Sequence, residues 1–272
     1  LRRLFRAILV PAILLLFWEW LGRSGRVSPA ILPAPSQVFS RWLLYLCPEA
    51  PFAAAGPGVL RKLSWLVSGE LPHDAFASLS RIAVGFSIGT ALALPLGLWM
   101  GARPLAYQYL NPLFQLIRPI PPIAFIPLSI LWFGLGNPPA FFLIALGAFF
   151  PVLLNTIAGV RSVEEVHLRA ALNLGASQAS LFRRVIFPAA LPQILTGVRV
   201  GIGVAFIVVI VAEMIAVNSG LGYRILEARE FFWSDKIIAG MITIGSLGLA
   251  IDSGMALLNR RLLRWQREPD HA

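Results

Sequence analysis

Residues 119–160 contain no Asp, Glu, Lys, Arg or His. A helix needs about 20 apolar residues to cross a bilayer. This uncharged run is long enough for two crossings. The sequence "GLGNPP" at 134–139 divides it, because glycine and proline end helices. A chain with such a run is expected to fold with lipid as its solvent.

The rest of the sequence agrees. It is 57% hydrophobic and 13% charged over 272 residues, where a soluble domain carries about a quarter charged residues. The formal charge of +10 does not point to nucleic acid. The basic residues punctuate apolar runs and form no face of their own. The single cysteine, Cys47, excludes an intrachain disulfide. His73, His167 and His271 are too far apart in sequence to have metal-ligand spacing, so no metal site is expected.

Six spans are expected, near residues 4–21, 80–102, 109–133, 139–160, 194–216 and 237–258. The first is read as an anchor, since no small-residue cleavage site follows it. Residues 22–75 form a long Pro/Gly-rich segment with one short amphipathic helix after Pro35, and His73 and Cys47 fall in this loop. Six spans put both termini on one side. Arg2, Arg3, Arg6, Arg103, the arginines between Arg161 and Arg184, and Arg260, Arg261, Arg264 and Arg267 share that side. The excess of arginine makes it cytoplasmic. Trp18, Trp20, Trp132 and Trp265 fall near span ends, where an aromatic belt sits.

The connection between spans four and five is the polar exception. Residues 169–192 read "RAALNLGASQASLFRRVIFPAALP". Ser162-Val-Glu-Glu165 fits a capping box, so a helix is expected to start near Val163 and run to Leu174. Gly175 suits a left-handed C-terminal cap. Ser177 caps a second helix from Gln178 to about Phe187, which Pro188 ends before Pro192 leads into span five. Two short helices hinged at glycine result. From the residues alone this is either a docking element or an amphipathic connector lying on lipid headgroups.

The run resembles the EAA loop of ATP-binding-cassette importer permeases: E-A-A, three residues, glycine, nine residues, I-x-L-P. Ala170, Ala171 and Gly175 match, and Ile186 and Pro188 match with Phe187 in place of leucine. Arg169 stands where the family has glutamate. "LPAPSQVF", "SLSRIAVGF", "LIRPIPPIAFIPLSILWFG", "FFPVLLNTIAGV" and "NSGLGYRILEARE" extend the likeness over nearly the whole chain, toward the nitrate/sulfonate/taurine branch. The resemblance implies an all-α membrane protein with six transmembrane helices and type I importer permease (MetI-like) architecture. It implies a second copy of the chain, two cytoplasmic ATPase subunits, and a periplasmic or lipid-anchored substrate-binding protein. Arg169, Ala170, Ala171, Asn173, Leu174, Gly175, Ala176, Ser177, Pro188 and Pro192 would grip the ATPase. Arginine at 169 would seek an acidic or carbonyl-rich seat there.

The expected organisation is an N-terminal span (1–21), a periplasmic segment (22–75), a permease core (76–258) with the coupling loop at 162–193, and a cytoplasmic tail (259–272). No phosphate-binding G-x-x-x-x-G-K-[ST] occurs, and the only lysines are Lys62 and Lys236. ATP and Mg are therefore expected on the partner ATPase, with no cofactor in this chain and no covalent chemistry of its own. Arg118, beside Pro119, Pro121 and Pro122, is either a pathway residue drawing an anion or a snorkelling interfacial arginine. Asn155 and Thr156 either line the route or bond backbone. Glu213 is either a gate or binding-protein contact or an interface carboxylate. Arg199, near the cytoplasmic face, either snorkels or bonds the coupling segment, and Asp252 is either a packing or interfacial polar partner or a proton relay. Gly85/Gly89, Gly97/Gly101 and Gly197/Gly201 permit close helix contact, within the chain or between subunits. The competing reading is an autonomous secondary transporter, which would want an ionisable relay inside the spans.

Overall fold

The computed structural model describes residues 2–47 and 69–263, with side chains from residue 9 onward. Trp265, His271, Lys62 and the tail from 264 lie outside the described residues. Every regular element among those residues is helical. The chain divides into two compact units: Leu1–Leu79 with Glu213–Leu247, and Ser80–Ala212 with Gly248–Ala272.

The first unit begins with α1 (Arg2–Arg23) and α2 (Pro35–Leu46). Pro35 occupies the first helical position of α2, where a missing N–H costs nothing. The Gln37 carboxamide oxygen accepts from the Ala34 N–H at 3.1 Å and closes the first turn. Helix α3 (Glu70–Ala102) starts ten residues before the expected span, so His73 lies on a helix rather than in the loop. Its first turns carry Glu70 and Asp74, charges that read as loop in the sequence but have partners in the fold.

The second unit is built around α6 (Asn137–Arg161), which has twelve buried residues, among them Leu143, Ile144, Val152 and Leu153. Added Cβ atoms at Gly97 and Gly101 would sit 2.7 and 2.6 Å from the Cβ atoms of Thr156 and Val160. On the other flank, one at Gly197 would sit 2.6 Å from the Asn155 Cβ. Gly85 and Gly89 also meet α6, at Ile144 and Ala145, and Gly201 meets Val152. All three glycine pairs therefore serve packing within the chain. Lipid supplies no hydrophobic drive between helices, so this close van der Waals contact is what holds them.

The expected third span is not one straight helix. It consists of α4 (Pro104–Ile117), a 3-10 turn (Pro122–Phe125) and α5 (Ile126–Phe133), and the two arms bend by 79°. Pro119, Pro121 and Pro122 remove three of four successive N–H donors, which ends the α-helical ladder there. After α6 come α7 (Glu165–Asn173), α8 (Gln178–Leu181), a π turn (Phe182–Ile186), α9 (Phe187–Ala216), α10 (Leu221–Glu230) and α11 (Ser234–Leu262). Among the described residues, four helices are long and apolar enough to cross a membrane, and the bent pair makes up to five. α1 is not among them.

Candidate functional site

In the coupling segment the first helix starts two residues later than the capping box requires. The Ser162 hydroxyl donates back to the Gly159 carbonyl at 2.9 Å, and α7 begins at Glu165 with Glu164 in the cap position. The serine is absorbed by the helix it leaves, so it cannot cap the one that follows. The hinge itself lies where its local signals put it. Gly175 has φ of +80°, and the Ala176 N–H reaches the Ala171 carbonyl at 3.0 Å, the six-to-one bond of a glycine-ended helix. Ser177 then caps α8, its Oγ accepting from the Ser180 N–H at 3.3 Å.

Pro188 does not end the second helix. α8, the π turn and α9 form one continuous helix, Gln178–Ala216. The wider π turn precedes Pro188, so the proline sits in the second position of α9 and the ladder goes on around its missing N–H. Pro192 lies inside α9. The coupling segment is thus one short free-standing helix, a glycine corner, and the extension of a span.

Its surface is open. Leu174 is 89% exposed, Val166 62% and Leu172 44%. Ala170, Asn173, Gly175 and Ser177 are exposed, whereas Ala171, Ala176, Pro188 and Pro192 are half-buried. Arg169 pairs with Glu165 one turn earlier on α7. The carboxylate expected for Arg169 is therefore supplied within its own helix. Both side chains remain 76% exposed, and a pair that exposed contributes 0–1 kcal/mol and exchanges readily for another partner.

The pathway candidates are dispersed. Arg118 caps α4 at the bend, and it, Pro119 and Pro121 are exposed. Asn155 is half-buried, with its Nδ2 donating to the Pro151 carbonyl at 2.8 Å. Thr156 is fully buried and donates to the Val152 carbonyl at 2.7 Å. Glu213 is 0% exposed: its Oε2 accepts from the Ser78 hydroxyl and the Gly222 N–H, both at 2.9 Å. A carboxylate so enclosed does not line an open route in this conformation.

Glu213 belongs to a cluster that sequence reasoning missed. Asp74, 1% exposed, accepts from the Gly220 N–H at 3.0 Å, and Ser78 accepts from the Leu221 N–H at 3.0 Å. The cap N–H of Gly220 and the first two donors of α10, Leu221 and Gly222, are thus satisfied by three side chains from α3 and α9, where a lone N-cap serves one. Arg224 on the same helix donates to Asp74 and to Glu227, both at 2.8 Å. Burial works against its charge, but Asp74, Glu227 and Glu70 together hold its pKa above the ordinary arginine range. Lys236, 8% exposed, joins Glu70 at 3.4 Å and lies 4.5 Å from the centre of the Tyr45 ring. The burial of Tyr45 pushes its phenol up, against the opposing pull of Lys236. The available signal was charge balance: two acids at the start of α3 and a mixed loop between the last two spans.

In the second unit, Arg199 and Asp252 form a fork. Nε and Nη2 of Arg199 donate to the two Asp252 oxygens, each at 2.6 Å. The sequence placed each near the membrane edge but did not pair them.

The family profile described as the binding-protein-dependent transport system inner membrane component matches residues 93–264, which include α6, the coupling segment, α9 and α11. The chain belongs to this family. It is an all-helical, multi-pass inner-membrane permease. It is similar to the taurine transport system permease protein TauC of Escherichia coli, with 37% identity across 94% of this chain and 88% of that protein. It also resembles the putative aliphatic sulfonates transport permease protein SsuC of Bacillus subtilis, with 36% identity across 96% and 87%. The nitrate import permease protein NrtB of Synechocystis is 33% identical across 94% and 88%. Among solved structures, an inward-facing MetNI methionine ABC transporter shares the fold. Its TM-score is 0.59 at 18% identity, over 69% of this permease and 93% of that chain.

Proposed function

We propose that this permease forms the translocation pathway of an ATP-binding-cassette importer for a small oxyanion of the aliphatic sulfonate, taurine or nitrate class. The working complex is two copies of the chain, two cytoplasmic ATPase subunits that bind ATP and Mg, and a periplasmic or lipid-anchored binding protein. Both termini and the 162–193 segment face the cytoplasm, and α1 supplies the first of six spans. The permease carries out no covalent step.

The observation that carries this reading is the form of the coupling segment. Its corner is fixed by the Gly175 turn and the Ser177 cap, yet its apolar knobs Leu174, Val166 and Leu172 are exposed. A fixed corner with uncovered leucines, flanked by the exposed polar residues Asn173 and Ser177, fits a partner's cleft better than a headgroup layer. Docked on a moving ATPase, it shifts as a body and pulls α9 through the continuous helix. The pair Glu165–Arg169 opens at the interface and presents the arginine to an acidic or carbonyl-rich seat. At the bend, Arg118 and Pro121, with Asn155 on α6, line the route. Arg118 gives it a positive element suited to an oxyanion. Glu213 acts at the far end of α9 by holding the α10 loop.

The test is uptake into proteoliposomes of radiolabelled taurine and nitrate, with and without the ATPase chain and ATP. Uptake that needs both is expected. Uptake driven by an ion gradient without the ATPase would establish a secondary transporter instead.

A further inference from the structure

Helix α11 is held differently from its neighbours. Only 6% of its most apolar stretch is buried, against 50% for α6. Its four buried residues, Lys236, Ala239, Gly240 and Thr243, all lie in the half that belongs to the first unit. In the half that belongs to the second unit, Gly248 to Leu262, no residue is buried. α6 and α9, by contrast, are locked by close packing. An added Cβ at Gly159 would sit 2.8 Å from the Ala190 carbonyl oxygen, and one at Gly197 would sit 2.6 Å from Asn155. The coupling segment is strung between α6 and α9, so these three move together. In the second-unit half of α11, Gly248 and Gly254 have nothing within 4 Å of an added Cβ, so no such glycine packing occurs there, and the Arg199–Asp252 fork ties it to α9.

The fork is costly to keep. Both side chains are about half exposed, at 47% and 49%, on helices that read as membrane spans. Charges there are retained where they have a role. Two parallel N–H···O bonds fix distance and orientation together, as one point contact cannot. We infer that Arg199 and Asp252 are positioning residues of the transport cycle: the fork carries displacement of the coupling segment from α9 to the second-unit half of α11. This rests on the function proposed above. It makes α11 a driven element, moved by an electrostatic link in place of a packed one.

The experiment uses the full complex in proteoliposomes and reads ATP hydrolysis with and without the binding protein, so no solute need be identified. Asp252→Asn and Arg199→Gln each lower the ratio of stimulated to basal hydrolysis by about fivefold or more, the range of ordinary inter-site coupling. Basal hydrolysis and the thermal midpoint stay near wild type. Arg199→Lys, which keeps the charge and loses the fork, is intermediate. The exchanged double variant, Arg199→Asp with Asp252→Arg, recovers at least half the wild-type ratio. A wild-type ratio in both single variants overturns the inference. So does a double variant as defective as the singles at an unchanged thermal midpoint. If a single variant does not fold, Arg199→Lys decides, and a wild-type ratio there overturns the link. A wild-type complex whose hydrolysis ignores the binding protein sinks the functional reading itself, a separate outcome.

Discussion

The α10 clamp and the coupling segment use the same residue types, carboxylates, serines and arginines at helix ends, to opposite effect. At the clamp, Asp74, Ser78 and Glu213 are buried and each accepts a backbone N–H at the start of α10, from Gly220, Leu221 and Gly222. At the coupling segment, Glu165 and Arg169 are three-quarters exposed and satisfy only each other. Buried carboxylates must be fully bonded, because an uncompensated charge away from water costs several kcal/mol. Exposed ones carry no such obligation and are free to change partners. The clamp is therefore architecture, and the coupling segment is an open surface, which the proposed function assigns to a partner chain.

The sharpest test of that difference is Asp74→Ala. It strips the Gly220 N–H and leaves Arg224 without its closest carboxylate, so the thermal midpoint in detergent should fall by the equivalent of about 3–5 kcal/mol. A loss below 1 kcal/mol would mean the clamp is not structural. Next in size is Gly97→Leu, which drives a side chain into Thr156 and should cost about 1–3 kcal/mol by the same measurement. If it is neutral, α3 and α6 are not in close contact. Gly175→Ala should cost about 1–2 kcal/mol locally, from its positive φ, and reduce ATPase binding in pull-down without changing clamp stability. Arg169→Glu places a second acid one turn from Glu165. It should leave the melt within about 0.5 kcal/mol while uncoupling ATP hydrolysis from uptake. Unchanged uptake per ATP would remove Arg169 from the coupling surface. The smallest effect belongs to Arg41→Ala. Its exposed bond to Asp235 at 2.6 Å should be worth at most about 1 kcal/mol.

Legibility followed the range of the interactions. Gly175 and Ser177 could be read from the sequence because a cap involves residues three to six apart. The Pro35 helix, α2, was legible for the same reason. Ser162 misled because two helices compete for one hydroxyl, and the preceding helix takes it. Pro188 misled because a π turn, which has no sequence signature of its own, absorbs the lost donor. The first ten residues of α3 read as loop because their acids had no visible partners. Those partners, Arg224 and Lys236, lie some 150 positions later in the chain.

The sequence by itself determined the solvent, the helical class, the break at 134–139 and the hinge at Gly175. These depend on local hydropathy and on residues with special backbone freedom. Only the tertiary structure decided which charges meet. It buried Glu213 under α10 and joined Arg199 to Asp252. Long-range pairing depends on how helices cross, and a linear pattern of apolar residues does not encode the crossing.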